Sequence, residues 1–227
     1  PASSAPQQVM APVVSMALVW NTPALTTLDL PLLEEIGRGL DITNTALADL
    51  DLPKLSTVTE VFLIRSNPQL QSLNLGPTLK LVDADIQIAN NDALVSIQSE
   101  LTNQGTKTIS IDNNSLLQSF EMKNLESTVG GTIYLAKNTQ LTSISFPDLQ
   151  QINSKLHIEL NPALTVLSIP LLQSAESIEF RDNGTLTSLD FNGLTDVEYL
   201  VVAGNQDLGA ISLPVAENLK GLTVQEN

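Results

Sequence analysis

Apolar residues recur along this chain in a short alternating pattern that repeats every 22 to 24 residues. In most repeats two apolar residues that flank a polar one, such as Leu156 and Ile158, stand shortly before an asparagine, here Asn161. Further apolar residues follow the asparagine at the third, sixth and eighth positions, often with a proline directly after them. Alternation with a period of two is typical of a strand that has one buried face. The pattern therefore predicts two strands in every repeat, one before and one after the asparagine.

Neither of these short strands can bury its apolar side alone, so successive repeats are expected to stack and to pair their strands. The prediction is a single right-handed, parallel β-solenoid of about nine turns, which is all-β or at most a β-rich α/β fold. A helical repeat is the competing fold. It requires segments of ten or more residues with a period of 3.6, and the repeat contains none.

The asparagine of each repeat is predicted to lie inside a tight bend, where its amide pairs backbone groups that the bend leaves open. Ligand binding is the alternative interpretation, but a buried polar group must first find a partner. The predicted structural column consists of Asn44, Asn67, Asn91, Asn114, Asn138, Asn161, Asn183 and Asn205.

The two ends of the chain differ from the repeats between them. Residues 1–16 are small and proline-rich, which predicts a tail and the start of a cap, and residues 17–227 are assigned to the solenoid. Residues 9–20 are expected to form a cap strand with Trp20 covering the first turn, since this stretch is too short to cross a membrane. The last turn shows no cap, so we expect further turns or a cap beyond residue 227, or self-association end to end or through the C-terminal end. Residues 99–108 depart from the repeat, which predicts a surface loop.

Charge and cysteine content exclude several classes of function. The chain has 25 acidic and 10 basic residues, a formal net charge of −15, no cysteine and one histidine. Disulfide scaffolds, thiolate metal sites, cysteine nucleophiles and multi-histidine metal sites are therefore excluded. Nucleic acid is a poor partner for so acidic a chain. No transmembrane segment is predicted.

The outward positions of the strand before the asparagine bring one chemically rich set of residues together. We expect adjacent turns to juxtapose the candidate ligand-binding residues Tyr134, His157, Glu159, Glu179 and Arg181, with an ion pair between Glu159 and Arg181. Such groups on a rigid sheet suit the recognition of a peptide or a glycan. A solvated ladder with charge pairs between strands is the simpler interpretation.

Catalysis is a third interpretation of the same residues. Glu159 and Glu179 on adjacent turns can reach the separation that glycoside hydrolysis requires. However, no nucleophile elbow, phosphate-binding loop or metal-binding signature accompanies them. The sequence therefore predicts no enzymatic activity, no catalytic residue and no required cofactor.

The strand after the asparagine carries mainly serine, threonine and aspartate on its outward side. A flat array of hydroxyl groups suggests binding to ice or to a crystalline polysaccharide, although acidic residues interrupt it. Asp29, Asp49 and Asp51 are candidate calcium ligands, because calcium prefers clustered oxygen atoms. An acidic face that keeps the protein soluble is the alternative. Two glycosylation sequons begin at Asn113 and Asn183.

The repeat also resembles that of a known group of proteins. NTPALTTLDLPLLEEIGRGLDITN (21–44) and NTQLTSISFPDLQQINSKLHIELN (138–161) are similar to leucine-rich repeats. They resemble more closely the repeats of receptor L domains and of fungal GPI-anchored cell-wall proteins of the sporulation-specific type. This resemblance, which covers about residues 17–227, implies a non-enzymatic, extracellular or cell-surface module that recognises a protein or a glycan. A structural cell-wall rod is the alternative, and an ice-binding protein is a third candidate.

Overall fold

The protein is a parallel β-solenoid. The computed structural model describes residues 13–75, 79–98, 102–104, 107–128, 130–213 and 216–227, and their regular structure consists of β-strands. The strands stack through about eight turns, where the repeat count predicts about nine. The all-β solenoid fold is thereby confirmed. In this part of the chain no helix is long and apolar enough to span a membrane.

One long parallel sheet runs the length of the stack and is built from the strands that precede the asparagines. In spatial order its strands are β1 (Val13–Thr22), β2 (Glu35–Thr45), β4 (Thr57–Arg65), β6 (Lys80–Ala89), β9 (Ile109–Asp112), β12 (Ile133–Ala136), β14 (Gln151–Glu159), β16 (Ser174–Arg181), β18 (Asp196–Ala203) and β20 (Gly221–Gln225). Beside this path, β8 (Thr102–Gln104) pairs with β6, and β11 (Ser127–Thr128) pairs with β14.

Within the described residues, the strands that follow the asparagines form three separate small sheets. These are β3 (Asp49–Asp51) with β5 (Ser72–Asn74) and β7 (Ser96–Gln98); β10 (Ser119–Glu121) with β13 (Ser143–Ser145) and β15 (Val166–Ser168); and β17 (Ser188–Asp190) with β19 (Ala210–Ser212). Each strand has only three residues, because the corner that follows stops the pairing. The second face of the solenoid is therefore interrupted, whereas the long sheet is continuous.

Changes in repeat length are absorbed within the long strands. The register between β4 and β6 shifts between Thr59 and Val61, and that between β14 and β16 shifts between Ile152 and Lys155. Such an irregularity accommodates an extra residue in one of two paired strands. The segment directly before each asparagine therefore stays in register from turn to turn, and the side chains of that segment form straight columns.

The inner faces of both sets of strands form one continuous apolar core. Leu156, Ile158 and Leu164, which the period-two pattern assigns to the inside, are fully buried, as are their equivalents in most other turns. The C-terminal strand differs. Leu222 and Val224 occupy the same columns as buried Leu200 and Val202 but are more than half exposed.

The structure corrects the expectation for Trp20. Trp20 does not cover the first turn, since it pairs in register with Thr43 on the outward side of the long sheet and is 60% exposed. Val14, Ala17 and Val19 of β1 pack against the core instead. The error follows from strand geometry, because residues that alternate along a strand face opposite sides.

The loop predicted over residues 99–108 is also partly corrected. Thr102–Gln104 form a strand that pairs with Lys80–Val82, while residues 99–101 and 105–106 lie outside the described part. Just after it, the backbone at Lys107 passes against Gly131. A Cβ atom at Gly131 would lie 1.0 Å from the Lys107 carbonyl oxygen, so only glycine fits this close approach.

Candidate functional site

The buried asparagines form a hydrogen-bonded column that links every turn to the next. Asn138 is representative: its Oδ1 accepts from the backbone N–H and the Nδ2 of Asn114, at 3.0 and 3.4 Å. Its own Nδ2 donates to the carbonyl oxygen of Ile111 at 2.9 Å. The side chains of the following asparagines are fully buried in this way: Asn67, Asn91, Asn114, Asn138, Asn161, Asn183 and Asn205. Their amides are used in holding the bend, which confirms the structural role predicted for these seven residues.

Asn44 is the exception, and its assignment to the column is wrong. Its side chain is exposed and donates to Oδ1 of Asn21 at 2.8 Å. Thr45 takes the column position, because its backbone N–H and its Oγ1 both donate to Oδ1 of Asn67, at 3.1 and 2.8 Å. The signal was present in the sequence. Asn44 lies two residues after the last inward apolar residue, Ile42, whereas the buried asparagines lie three residues after theirs.

Asn44 instead occupies a second position of the bend that repeats from turn to turn. The residue before each buried asparagine has a positive φ angle, and Asn44 has this geometry with φ of 56°. These residues are Ser66, Asn90, Asn113, Lys137, Leu160, Asp182 and Gly204. Left-handed backbone is unfavourable for residues other than glycine, by about 1–2 kcal/mol each. The hydrogen bonds of the adjacent buried asparagine stabilise this strained corner.

The two sequons differ in accessibility. Asn183 is fully buried, and its Nδ2 donates to the carbonyl oxygens of Ile158 and Arg181, both at 3.0 Å. This amide is therefore not accessible to a glycosyltransferase in the folded chain. Asn113 lies on the corner with a half-buried side chain.

The structure brings the five candidate ligand-binding residues together on the outward side of the long sheet. Tyr134, His157 and Glu179 face one another in register on β12, β14 and β16, and Glu159 and Arg181 form the adjacent column. A lysine that sequence reasoning missed, Lys155, completes the group. We call this set the outer cluster; it consists of Tyr134, Lys155, His157, Glu159, Glu179 and Arg181.

The ion pair expected between Glu159 and Arg181 is not formed. Arg181 turns back along its own strand, and its Nε lies 3.3 Å from Oε2 of Glu179. Lys155 binds the other oxygen of Glu179, with 2.7 Å between Nζ and Oε1. The signal for Lys155 was the same alternation that selected His157 and Glu159, since all three occupy alternate positions of β14. Arg181 remains in the cluster, but with Glu179 as its partner.

Glu159 contacts Tyr134 and His157 instead. The hydroxyl of Tyr134 donates to Oε1 of Glu159 at 2.8 Å, and Nε2 of His157 lies 3.1 Å from Oε2. The rings of Tyr134 and His157 meet edge to face, with centroids 5.3 Å apart and an interplanar angle of 77°. This is a favourable aromatic geometry. The tyrosine and the imidazole are thus both held in place by the same carboxylate.

Two members of the outer cluster have shifted pKa values. Burial raises the pKa of Tyr134 to about 12, and the hydrogen bond to Glu159 and its negative charge act in the same direction. For Glu179, burial also acts to raise the pKa, but the hydrogen bond and positive charge of Lys155 together with the hydrogen bond of Arg181 outweigh it and hold the pKa below its ordinary value. Glu179 is consequently ionised and Tyr134 protonated at neutral pH.

The arrangement limits the chemistry that these carboxylates can perform. Nε2 of His157 lies 3.1 Å from Glu159 and 3.9 Å from Glu179, so the two carboxyl groups approach within about 7 Å of each other. This upper limit is compatible with the separations found in glycosidases, but a glycosidase also needs one carboxyl group protonated as the general acid. The lowered pKa of Glu179 opposes that role. The same side chains also present fixed hydrogen-bond donors and acceptors on the sheet.

The second face offers less support for its two predicted ligands. Its strands form three short sheets, so the serine and threonine side chains do not form one continuous array. Asp49 accepts from Ser72 and Asp51 accepts from Asn74 on the next turn. Asp29, Asp49 and Asp51 line one groove of about 300 Å³. Among the described residues no group of three or more histidine, cysteine, aspartate or glutamate side chains is placed to hold a metal ion. Calcium binding remains a prediction.

The fold defines the class to which this chain belongs, that of parallel β-solenoid repeat proteins with a buried asparagine column. A comparison with protein-family models, curated proteins and solved structures found no match for it. The resemblance to leucine-rich repeats and receptor L domains therefore stays a prediction from the sequence.

Proposed function

We propose that this protein is a non-enzymatic recognition module, located outside the cell or at a cell surface, that binds a protein or a glycan through the outer cluster. The observation that carries the proposal is the concentration of six polar and aromatic side chains on three adjacent turns of one rigid sheet. The outward column that contains Tyr134, His157 and Glu179 is less polar toward its two ends, where Leu18 and Val201 lie.

The contacts within the outer cluster favour binding because they fix its side chains before a ligand arrives. Glu179 is held by Lys155 and Arg181, and Glu159 by Tyr134. Side chains that are already ordered lose less conformational entropy on association. Lys155 and Arg181 keep more than a third of their side-chain surface exposed, so both cations remain accessible to a ligand. A carboxylate or a polar sugar hydroxyl is the complementary group.

The test is a binding screen of the purified chain against arrayed glycans and cell-surface proteins, with and without calcium. We expect saturable binding that Arg181→Ala or Tyr134→Ala weakens by about tenfold or more, since these residues are of the types that dominate binding energies. Arg38→Ala and Tyr199→Ala are the matched controls. They remove the same side chains from exposed positions of the long sheet outside the outer cluster. Thermal denaturation should show that all four variants are folded at the temperature of the binding assay.

A structural rod without a specific ligand is the second candidate function. One observation favours it: the carboxylates of the outer cluster are already satisfied by neighbouring side chains and so link three turns without a ligand. In that case no saturable ligand is found, and the four variants do not differ. If the ligand binds saturably but Arg181→Ala and Arg38→Ala lose the same affinity, the binding site is not the outer cluster.

A further inference from the structure

The outward side of β1 differs from the rest of the long sheet. Val13, Met16, Leu18 and Trp20 are exposed by 56, 45, 51 and 60%. The residues beside them on β2 are small or polar: Met16 pairs with Gly39, Leu18 with Asp41 and Trp20 with Thr43. Four large apolar side chains on one side of one strand, next to a polar surface, are typical of an interaction site rather than of scattered surface residues.

The same strand also lies at one end of the long sheet. Within the described part of the chain, β1 pairs only with β2 and stands at the end of the sheet. Edge strands of this kind are usually protected by charged residues, prolines or irregularities. β1 has ten residues with neither a charge nor a proline, and its irregularities lie between Val14 and Met16 and at Asn21, which has a positive φ angle. Among the described residues, the segment from Met16 to Trp20, about 17 Å long, is therefore a regular and unprotected edge.

The distribution of charge indicates what this edge can accept. The chain carries a net charge of −15, yet residues 1–28 contain no charged side chain, and no other uncharged stretch in the sequence is as long. Two copies of so acidic a protein repel each other over most of their surfaces. The N-terminal turn is where two copies can approach with the least repulsion.

We propose that β1 is a dimerisation edge, on which a second copy of this chain adds its own β1 in the antiparallel direction. A symmetric pair of this kind is closed and uses the same surface on both copies. With Leu18 opposite the partner's Leu18, Met16 of each copy lies opposite the partner's Trp20, and the apolar rows contact each other. A lipid surface would accept the apolar side chains but would leave the backbone N–H and C=O groups of the edge unpaired. This inference does not depend on the ligand proposed above.

The test uses the full chain and its single tryptophan. Trp20 is the only tryptophan in the sequence, so its fluorescence reports directly on β1. We expect sedimentation equilibrium to show a concentration-dependent dimer, and the emission of Trp20 to move to shorter wavelength over the same concentration range. Leu18→Lys places a charge on the half-exposed side of the edge and should raise the dissociation constant by about tenfold or more. Leu63→Lys makes the same change in the same outward column two turns away and should leave the dimer intact.

Four outcomes would overturn the inference. A monomer at all concentrations with long-wavelength Trp20 emission means that the edge stays open. A monomer with short-wavelength emission means that the chain covers its own edge. A dimer that Leu18→Lys leaves unchanged places the interface elsewhere. Emission that shifts only when phosphatidylcholine vesicles are added identifies a lipid surface as the occupant.

Discussion

The buried asparagine column and the outer cluster lie on the same turns, yet they follow different rules. In the column, every asparagine from Asn67 to Asn205 is fully buried and contacts equivalent partners one turn before and one turn after. In the outer cluster, neighbouring turns contribute different residues, and a carboxylate on one turn binds a tyrosine while that on the next binds two cations. A buried position allows few residue types, because each polar group in the core must find a hydrogen-bond partner in the protein. An exposed position allows many, because water can pair with any polar group at the surface.

The difference should be visible in energies. A hydrogen bond lost inside the bend leaves donors and acceptors unpaired, at a cost of about 1–3 kcal/mol for each group. An ion pair at the surface contributes about 0–1 kcal/mol. The column is therefore expected to determine stability, and the outer cluster to be free to serve another purpose.

The largest effect is expected from Asn138→Asp. The change replaces the Nδ2 donor to the Ile111 carbonyl oxygen by a second acceptor and places a carboxylate in a fully buried position. We expect the free energy of unfolding at pH 7 to fall by about 3 to 5 kcal/mol, as for other unpaired buried charges. Urea denaturation followed by circular dichroism measures the loss.

Asn44→Asp is the matched control for this prediction. The substitution is chemically identical, but Asn44 is exposed and aspartate also tolerates its positive φ angle. We expect a loss of less than about 1 kcal/mol. Equal losses in the two variants would contradict the distinction between the column and the corner that precedes it.

The column also shows what the sequence could predict. Period-two alternation and the fixed interval between buried residues define the inward positions, and the structure confirms them in most turns. These signals are reliable because a one-residue error would expose an entire apolar face. The prediction that Asn44 belongs to the buried column is wrong because it rests on residue type alone. Asn44 lies two residues after Ile42, and the column position is the third. Thr45 can replace asparagine there, since a hydroxyl and a backbone N–H together supply the donors that Asn67 needs.

Side-chain partners on the outer face were less predictable. The alternation correctly placed Glu159 beside Arg181 in the register, but not the direction in which the long arginine side chain turns. That direction depends on Lys155 and Glu179, whose competing contacts differ by little energy in water. Trp20 is a different case, because its register with outward Thr43 on the next turn does indicate that its side chain faces away from the core.

A smaller effect is expected at Glu179, and it should depend on pH. The folded state lowers the pKa of this carboxyl group below its ordinary value of 4.5, so the ionised form is stabilised in the folded protein. Its contribution to stability is present above about pH 4.5 and is lost as the pH falls through the lower folded value. Glu179→Gln should therefore be less stable than the wild type at pH 7, by about 1 kcal/mol or less, and the difference should shrink by pH 3.

Exposed Glu217 provides the control for the pH dependence. Glu217→Gln has the same change in charge without the contacts of the outer cluster. Thermal denaturation of both variants between pH 7 and pH 3 gives the comparison. A difference between wild type and Glu179→Gln that grows on acidification would have the wrong sign for a carboxylate bound by Lys155 and Arg181.

The titration of Tyr134 tests the other half of the outer cluster. The chain has two tyrosines, so Tyr199→Phe leaves Tyr134 as the only phenol that absorbance can follow. We expect it to ionise with a pKa of about 12 while circular dichroism shows that the protein is still folded. Because the folded pKa is raised above the ordinary value of 10, the stability that Tyr134 contributes is present below about pH 10 and is lost as the pH rises toward 12.

Glu159→Gln in the Tyr199→Phe background separates the causes of this shift. The substitution removes the negative charge but leaves the ring as buried as before, so the pKa of Tyr134 should fall only part of the way toward 10. A complete return to 10 would mean that Glu159 alone sets the shift. No change at all would mean that the hydroxyl of Tyr134 does not bind Glu159. In that case the outer cluster would consist of an ion-pair network around Glu179, and the ring of Tyr134 would lie beside it without a hydrogen bond. The outer face would then lack a side-chain hydrogen bond between β12 and β14, whereas the asparagine column has one between each pair of adjacent turns that it links.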